Sequence, residues 1–400
     1  MPPLRCPVSG STEIERLIEF PEVPVLCNVL YDDRESARNA PRGDLDLAYA
    51  PQSGHLFNAA FDPDKIDYTS TYENSLHHSP RFQRYATSLA DRLIDTYDVR
   101  TQTVLEIGCG NGEFLSLLCE RGNNTGVGYD PSYERSSADP DQPFTVVPEA
   151  YSNEHAAHSA DLICCRHVLE HLSDPLSFAG TLRRTIGDHT ETVLYVEVPN
   201  ALFILQNAVI WDLIYEHYSY FTPSSLAYLF RRAGFEVIRT GAAFGGQYLQ
   251  IELRPVDSNG SSPETALPDT VQLGKQVQHF VRESAEMRSR WRHLFEKLGG
   301  QGESAVVWGA GSKGVMILNM IPETQKTVRH AVDINPRKQG RYIAGTGHPI
   351  VPPSHLTDDP PDTVFVMNAN YQPEIRDRVH ELGLSPNFEV ATRSSTQGNP

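Results

Sequence analysis

Apolar residues along this chain recur in two distinct rhythms. Between residue 101 and about residue 254, short apolar runs alternate with stretches of helical period. The runs predict strands at 102–107, 125–129, 144–147, 160–165, 192–197, 235–240 and 247–253. That alternation suits a doubly wound α/β sheet with an antiparallel edge at its end. Residues 80–97 have helical spacing and lead into the first of these strands. The segment before them is rich in Pro, Gly, Asp and Asn and reads as loop-rich. After residue 254 the composition shifts to a linker over 255–268, beginning Pro-Val-Asp-Ser-Asn-Gly. One long amphipathic helix is predicted over 269–298, with Val271, Val277, Phe280, Val281, Met287, Trp291, Leu294 and Phe295 apolar. A second α/β unit follows from 302 to about 392. The expected organisation is an N-terminal unit 1–80, a central unit 81–256, a linker and long helix 257–300, and a C-terminal Rossmann-like unit 301–400.

Two glycine loops punctuate this pattern. Residues 104–114 read Val-Leu-Glu-Ile-Gly-Cys-Gly-Asn-Gly-Glu-Phe: an apolar strand, the acid Glu106, then Gly108, Gly110 and Gly112, then a helical run from Glu113. The spacing differs from the dinucleotide fingerprint, whose last two glycines are three apart. It resembles motif I of the class I S-adenosyl-L-methionine (SAM) methyltransferases. About twenty residues on, a second strand ends at Asp130, an acid placed to accept both hydroxyls of a cofactor ribose. The competing reading is an ordinary strand–turn–helix with glycines for packing. The second loop, Gly309-Ala310-Gly311-Ser312-Lys313-Gly314, follows an apolar strand, and Asp333 closes the next one. Taken alone, it is a dinucleotide-binding fingerprint in the right context.

Composition narrows the classes. Of 400 residues, 39% are apolar and 21% charged, as in globular proteins. A net charge of −17 argues against a general nucleic-acid partner. No apolar run is long enough to span a bilayer and the N-terminus lacks a signal-peptide core, so a cytoplasmic location with no membrane partner is expected. Six scattered cysteines form neither a disulfide framework nor a Cys-x-x-Cys pair.

The whole chain resembles the three-domain sugar C-methyltransferases of deoxysugar biosynthesis, a branch of natural-product metabolism. The resemblance is most specific at residues 308–319 and 332–350. It implies an N-terminal zinc-binding domain, a central SAM domain and a C-terminal Rossmann-like domain. It also implies that the second glycine loop is not an NAD site but a structural partner, with Lys313 and Asn319 near a substrate cleft. The family's two zinc knuckles align with Cys6-Pro7-Val8-Ser9-Gly10 and Ala50-Pro51-Gln52-Ser53-Gly54. Only Cys6 of four ligands survives, so SAM is the expected cofactor and no zinc is expected. The segment Tyr68 to Ser75 is similar to one that brings a tyrosine to the active site, here Tyr72.

Two clusters carry candidate chemistry. Arg166-His167-Val168-Leu169-Glu170-His171 follows a central strand and so belongs at a ligand crevice. His171 matches a family histidine, and His167 falls near the expected cofactor. Trp211 to Phe221 includes Tyr215-Glu216-His217-Tyr218-Ser219-Tyr220, too polar for a core segment and too aromatic for a solvated face. It resembles the family's Tyr-His-Glu-His-x-Ser-Tyr-Phe segment with one residue fewer. The expected roles are His217 as general base, Glu216 orienting it, and Tyr215 binding substrate or stabilising an enolate. The expected function is C-methylation of a keto intermediate, a nucleotide-linked sugar. The alternatives are O- or N-methylation of another small metabolite, or a non-catalytic or NAD-binding protein on the same fold. A monomer is the expected state.

Overall fold

The computed structural model describes residues 3–66, 72–133, 142–155, 160–256 and 266–391. Its first strands are β1 (Glu15–Pro24), β2 (Arg42–Ala50) and β3 (His55–Asn58). Next come β4 (Thr103–Ile107), β5 (Thr125–Tyr129), β6 (Phe144–Val147), β7 (Leu162–Arg166) and β8 (Val193–Pro199). A two-residue strand β9 (Ser219–Tyr220) precedes β10 (Phe235–Ala243) and β11 (Tyr248–Pro255). The last five are β12 (Ala305–Trp308), β13 (Val328–Val332), β14 (Ile350–Val351), β15 (Thr363–Val366) and β16 (Asn387–Val390). They build three sheets.

The central sheet has the order β10-β11-β8-β7-β4-β5-β6. The strands β4 to β8 are parallel, and β11 runs antiparallel to both β8 and β10. The antiparallel strand is therefore not the edge, as the chain order suggests. The last strand inserts between β8 and β10, because β11 is buried on both faces, Leu249, Ile251 and Leu253 on one and Gln250 and Glu252, paired with Arg92, on the other, whereas β10 is half exposed. Order reverses between β4 and β7, which opens a crevice at their carboxyl ends, where the first glycine loop and the 166–171 cluster emerge. The C-terminal sheet is wholly parallel, β14-β13-β12-β15-β16. Its own reversal lies between β12 and β15, beside the second glycine loop.

The N-terminal stretch is more ordered than its composition suggests. β1, β2 and β3 form an antiparallel sheet that β9, from the central unit, completes. β2 alternates over Asp44-Leu45-Asp46-Leu47, but from Leu45 onward every residue of β2 and all of β3 are buried, because both faces are covered. The two knuckle-like segments meet here: Cys6 Sγ lies 3.5 Å from Ser53 Oγ, and the Ser9 N–H points at the same sulfur, 3.4 Å away. All six cysteines are buried and unpaired.

The long helix spans Val271–Gln301. Its buried residues Leu273, Val277, Phe280, Ser284, Met287, Trp291, Phe295 and Leu298 repeat at three- and four-residue steps. Val271 falls off this stripe and is 70% exposed. The linker residues 257–265 lie outside the described part of the chain. The helix serves as common packing surface: one apolar core joins it to β1–β3, to Ala201–Tyr220 and to the C-terminal sheet. Trp211 stands at its centre, 1% exposed, edge-on to Trp291 with ring centroids 5.4 Å apart. Trp211→Ala should cost about 3–5 kcal/mol. A thermal unfolding curve checks this; an unchanged midpoint would mean that the junction is not closely packed.

Candidate active site

β4 ends in the first glycine loop. Gly108 and Gly112 take left-handed backbone, φ 70° and 86°, a conformation that side chains disfavour. A Cβ at Gly108 would strike Val168, and one at Gly112 would come within 2.6 Å of the Phe144 ring. Gly112 caps the helix Glu113–Gly122, whose N-terminal amides face the loop. The Asp130 carboxylate is already hydrogen-bonded into this turn, accepting from the Gly110 N–H (2.8 Å), the Ser132 N–H (2.8 Å) and the Ser132 hydroxyl (2.6 Å). Glu106 is buried with one carboxylate oxygen unpartnered. Burial raises its pKa to about 8, against the pull of Arg166. A side-chain-free cradle with an unsatisfied buried carboxylate fits an adenosyl ligand.

A network of buried charges underlies the crevice. Glu197 on β8 accepts two contacts from the Arg166 guanidinium at 3.2 Å, one from Tyr195 at 2.8 Å and one from Tyr85. Burial penalises its charge, yet these partners hold its pKa down to about 2. His167, at φ 55°, sits between Glu170 (3.5 Å) and Glu197 (3.3 Å). Burial lowers its pKa, but the two acids win and lift it to about 9. His167 is thus an imidazolium locked between carboxylates.

His171 and His217 come together, ring centroids 4.9 Å apart and edge to face. His171 Nδ1 lies 3.1 Å from the Glu216 carbonyl and 4.0 Å from its carboxylate. The Glu216 carboxylate, fully buried, accepts the Cys27 N–H (3.0 Å) and the Tyr72 hydroxyl (2.6 Å). Burial raises its pKa. Glu216 therefore orients His171 and Tyr72, not His217 as the sequence suggests, because adjacent residues in this extended turn point opposite ways. His217 stays neutral: burial, then His171, His167 and Lys313, depress its pKa well below the ordinary value. Its Nδ1 has no partner. Tyr215 is the second correction. Its hydroxyl accepts the Asp62 N–H (3.0 Å), and its ring packs on Phe61 and closes over Gly43. It belongs to the junction with the N-terminal sheet and does not line the cleft.

That cleft, about 290 Å³ and partly open, separates the central unit from the C-terminal sheet. His217, Asp212, Tyr248 and Gln247 line one wall; the second glycine loop, Lys313, Lys338 and Asn368 line the other. Gln247 and Asn368 exchange hydrogen bonds across it at 2.7 and 2.9 Å. Lys313 pairs with Asp212. Asn319 is placed elsewhere: its amide donates to the Val315 and Ala344 carbonyls and fixes the Ala344–Gly345 turn. Two residues missed in the sequence matter here. Lys338, 5% exposed, donates to the Asn28 side chain and the Ala310 carbonyl, both at 3.2 Å. Asn28 in turn donates to Ser312 at 3.1 Å and touches Tyr72 at 3.5 Å. An isolated Asn and Lys carry no sequence signal, since their meaning arises only when three units converge.

A seven-stranded sheet of this order, with a glycine turn after its first strand and an acid after its second, defines a class I SAM-dependent methyltransferase. The methyltransferase-domain family matches residues 77–240, and the C-methyltransferase C-terminal domain family matches residues 269–384. The chain is 24% identical over 395 residues to the C-methyltransferase NovU of Streptomyces niveus, covering 94% of this chain and 92% of NovU. Its central unit thus matches a methyltransferase domain and its C-terminal unit a C-methyltransferase C-terminal domain, which together indicate a SAM-dependent methyltransferase. Among solved structures it is similar to N,N-8-amino-8-demethyl-D-riboflavin dimethyltransferase from Streptomyces davawensis. That match has a TM-score of 0.35 and 21% identity, over 44% of this chain and 56% of the other. It is also similar to magnesium protoporphyrin IX methyltransferase from Synechocystis PCC 6803, with TM-score 0.34 and 18% identity, over 44% and 84%. Among the described residues, no helix is long and apolar enough to cross a membrane.

Gly112→Val should abolish binding of S-adenosylhomocysteine in calorimetric titration, since both backbone and Phe144 oppose the side chain; retained affinity would place the cofactor elsewhere. His167 gives a pH signature. Its folded pKa lies above its ordinary value, so its stabilisation is complete below pH 6.5 and is lost as pH rises through about 9. His167→Gln should flatten the fall in unfolding free energy across that window; an unchanged pH profile would refute the locked imidazolium.

Proposed function

We propose that this C-methyltransferase acts on a keto intermediate, a nucleotide-linked sugar, through base-assisted enolate formation. The observation that carries the reading is the neutral, unpartnered imidazole of His217 on the wall of the cleft. SAM supplies an electrophilic methyl group whose transfer needs little beyond alignment. Glu106, the Gly108–Gly112 turn, Asp130 and His167 would hold it. Carbon is a poor nucleophile until a proton leaves the position beside a ketone, and that step is the protein's task.

His217 takes this proton. The resulting imidazolium stands near Glu170, whose buried carboxylate keeps one oxygen unpartnered to offset the new charge. His171, held at Nδ1 by the Glu216 carbonyl and 4.9 Å from the His217 ring, is the donor for the developing enolate oxygen. Tyr72 acts through Glu216, holding the carboxylate that supports His171.

The opposite wall supports a nucleotide-linked substrate. The helix Ser312–Met320 presents its N-terminus to the cleft beside Lys313 and Lys338. An ammonium and helix amides suit phosphate oxygens, despite the negative charge of the whole chain.

His217→Asn should lower kcat by about 10²–10⁴ and abolish exchange of the substrate α-hydrogen with solvent, while leaving S-adenosylhomocysteine affinity intact. Persisting exchange would remove His217 as base. Methyl transfer without exchange in the wild type would favour an O- or N-nucleophile. Lys338→Met should raise KM for a nucleotide keto-sugar about tenfold with little change in kcat; an unaltered KM would dissociate the lysine from the phosphates.

A further inference from the structure

We propose that Glu170, His171 and His217 form a binding site for a first-row divalent transition metal, zinc(II) in its simplest form, and that occupancy silences the enzyme. One ligand atom from each of the three residues lies within 4.8 Å of the others. The set is two imidazoles and one carboxylate, which suits zinc, cobalt or nickel and not magnesium or calcium.

Two features separate this constellation from a chance gathering of polar groups. The first is unmet bonding capacity. Glu170 is 1% exposed, and its Oε2 has no hydrogen-bond partner. His217 Nδ1 is likewise buried and unpartnered. A buried acceptor without a donor is costly, and a cation bound by both atoms removes that cost. The second is outer support of the kind metal ligands carry. His171 Nδ1 is held by the Glu216 carbonyl at 3.1 Å, which orients its other nitrogen. The other carboxylate oxygen of Glu170 lies 3.5 Å from Nδ1 of His167.

Bonds of about 2.0–2.2 Å in tetrahedral geometry place ligand atoms roughly 3.3 Å apart. Rotation of the side chains by about an ångström closes the site and leaves a fourth position toward the cleft. The ion would occupy the lone pair that His217 uses as a base, so metal and substrate chemistry exclude each other. Only this inhibition rests on the base assignment above; the site itself does not. A second cluster, His330, His355 and Asp359, is a weaker competitor because Asp359 is engaged by Arg329.

The test titrates the full chain, first stripped with a chelator, with cobalt(II) followed by its visible absorption and with zinc(II) followed by calorimetry. One equivalent should bind, with the intense visible bands of a low-coordinate cobalt centre. Glu170→Gln, His171→Asn and His217→Asn should each weaken it by at least about tenfold, whereas His355→Ala should not. S-adenosylhomocysteine binding by each variant shows that it is folded. Zinc should also abolish methyl transfer, and chelator should restore it. No binding, binding indifferent to Glu170→Gln, or binding lost in His355→Ala would overturn the site. Should His217→Asn stay active yet lose cobalt, the metal site stands and the base assignment falls.

Discussion

Everything near the cleft depends on one shared apolar core. The segment Ala208–Phe221 is buried between three sheets, and each unit takes hold of it at a different point. β9 completes the N-terminal sheet. Trp211 lies against Trp291 of the long helix. Asp212 pairs with Lys313 from the C-terminal glycine loop. Between those anchors stand Glu216 and His217, whose side chains leave the segment on opposite sides. Buried large side chains pack densely and tolerate little displacement, so the junction that joins the units also sets the position of His217.

Electrostatics then divides labour between histidines in one crevice. His167 has two carboxylates as near neighbours and is held charged; His217 has Glu170 within reach, but burial and then His171, His167 and Lys313 outweigh it and hold the ring neutral. The same burial acts on both, and the sign of the surrounding charge decides the outcome. Glu197 makes this possible. With Arg166, His167 and two tyrosines around it, it stays ionised in the interior and anchors the floor of the crevice.

The long helix shows why three units behave as one body. Its buried stripe covers the N-terminal sheet and the central segment on one side and the C-terminal sheet on the other. In the N-terminal unit, the Cys6–Ser53 contact joins the two segments that resemble zinc knuckles. The surrounding sheet, completed by β9, gives that region a source of order in its own strand pairing.

By itself the sequence determined the periodic parts. Strands β4 to β8 read as apolar runs, the helix Pro80–Tyr97 as a helical stripe, and both glycine loops as turns, because each depends on neighbours along the chain. Even Glu216 and His217 were legible as a polar-aromatic cluster with no place in a core. The tertiary structure alone decided where those side chains aim. Tyr215 turned into the junction because Gly43 leaves room only for its ring. Glu216 turned to Tyr72 and Cys27, residues far from it in sequence. Asn319 turned into its own domain, while Lys338 and Asn28 arrived from opposite ends of the chain to line or brace the cleft. The insertion of β11 between β8 and β10 was also a tertiary choice, set by which strand could be covered on both faces. Such outcomes depend on long-range packing and on the charges it brings together, and local pattern carries neither.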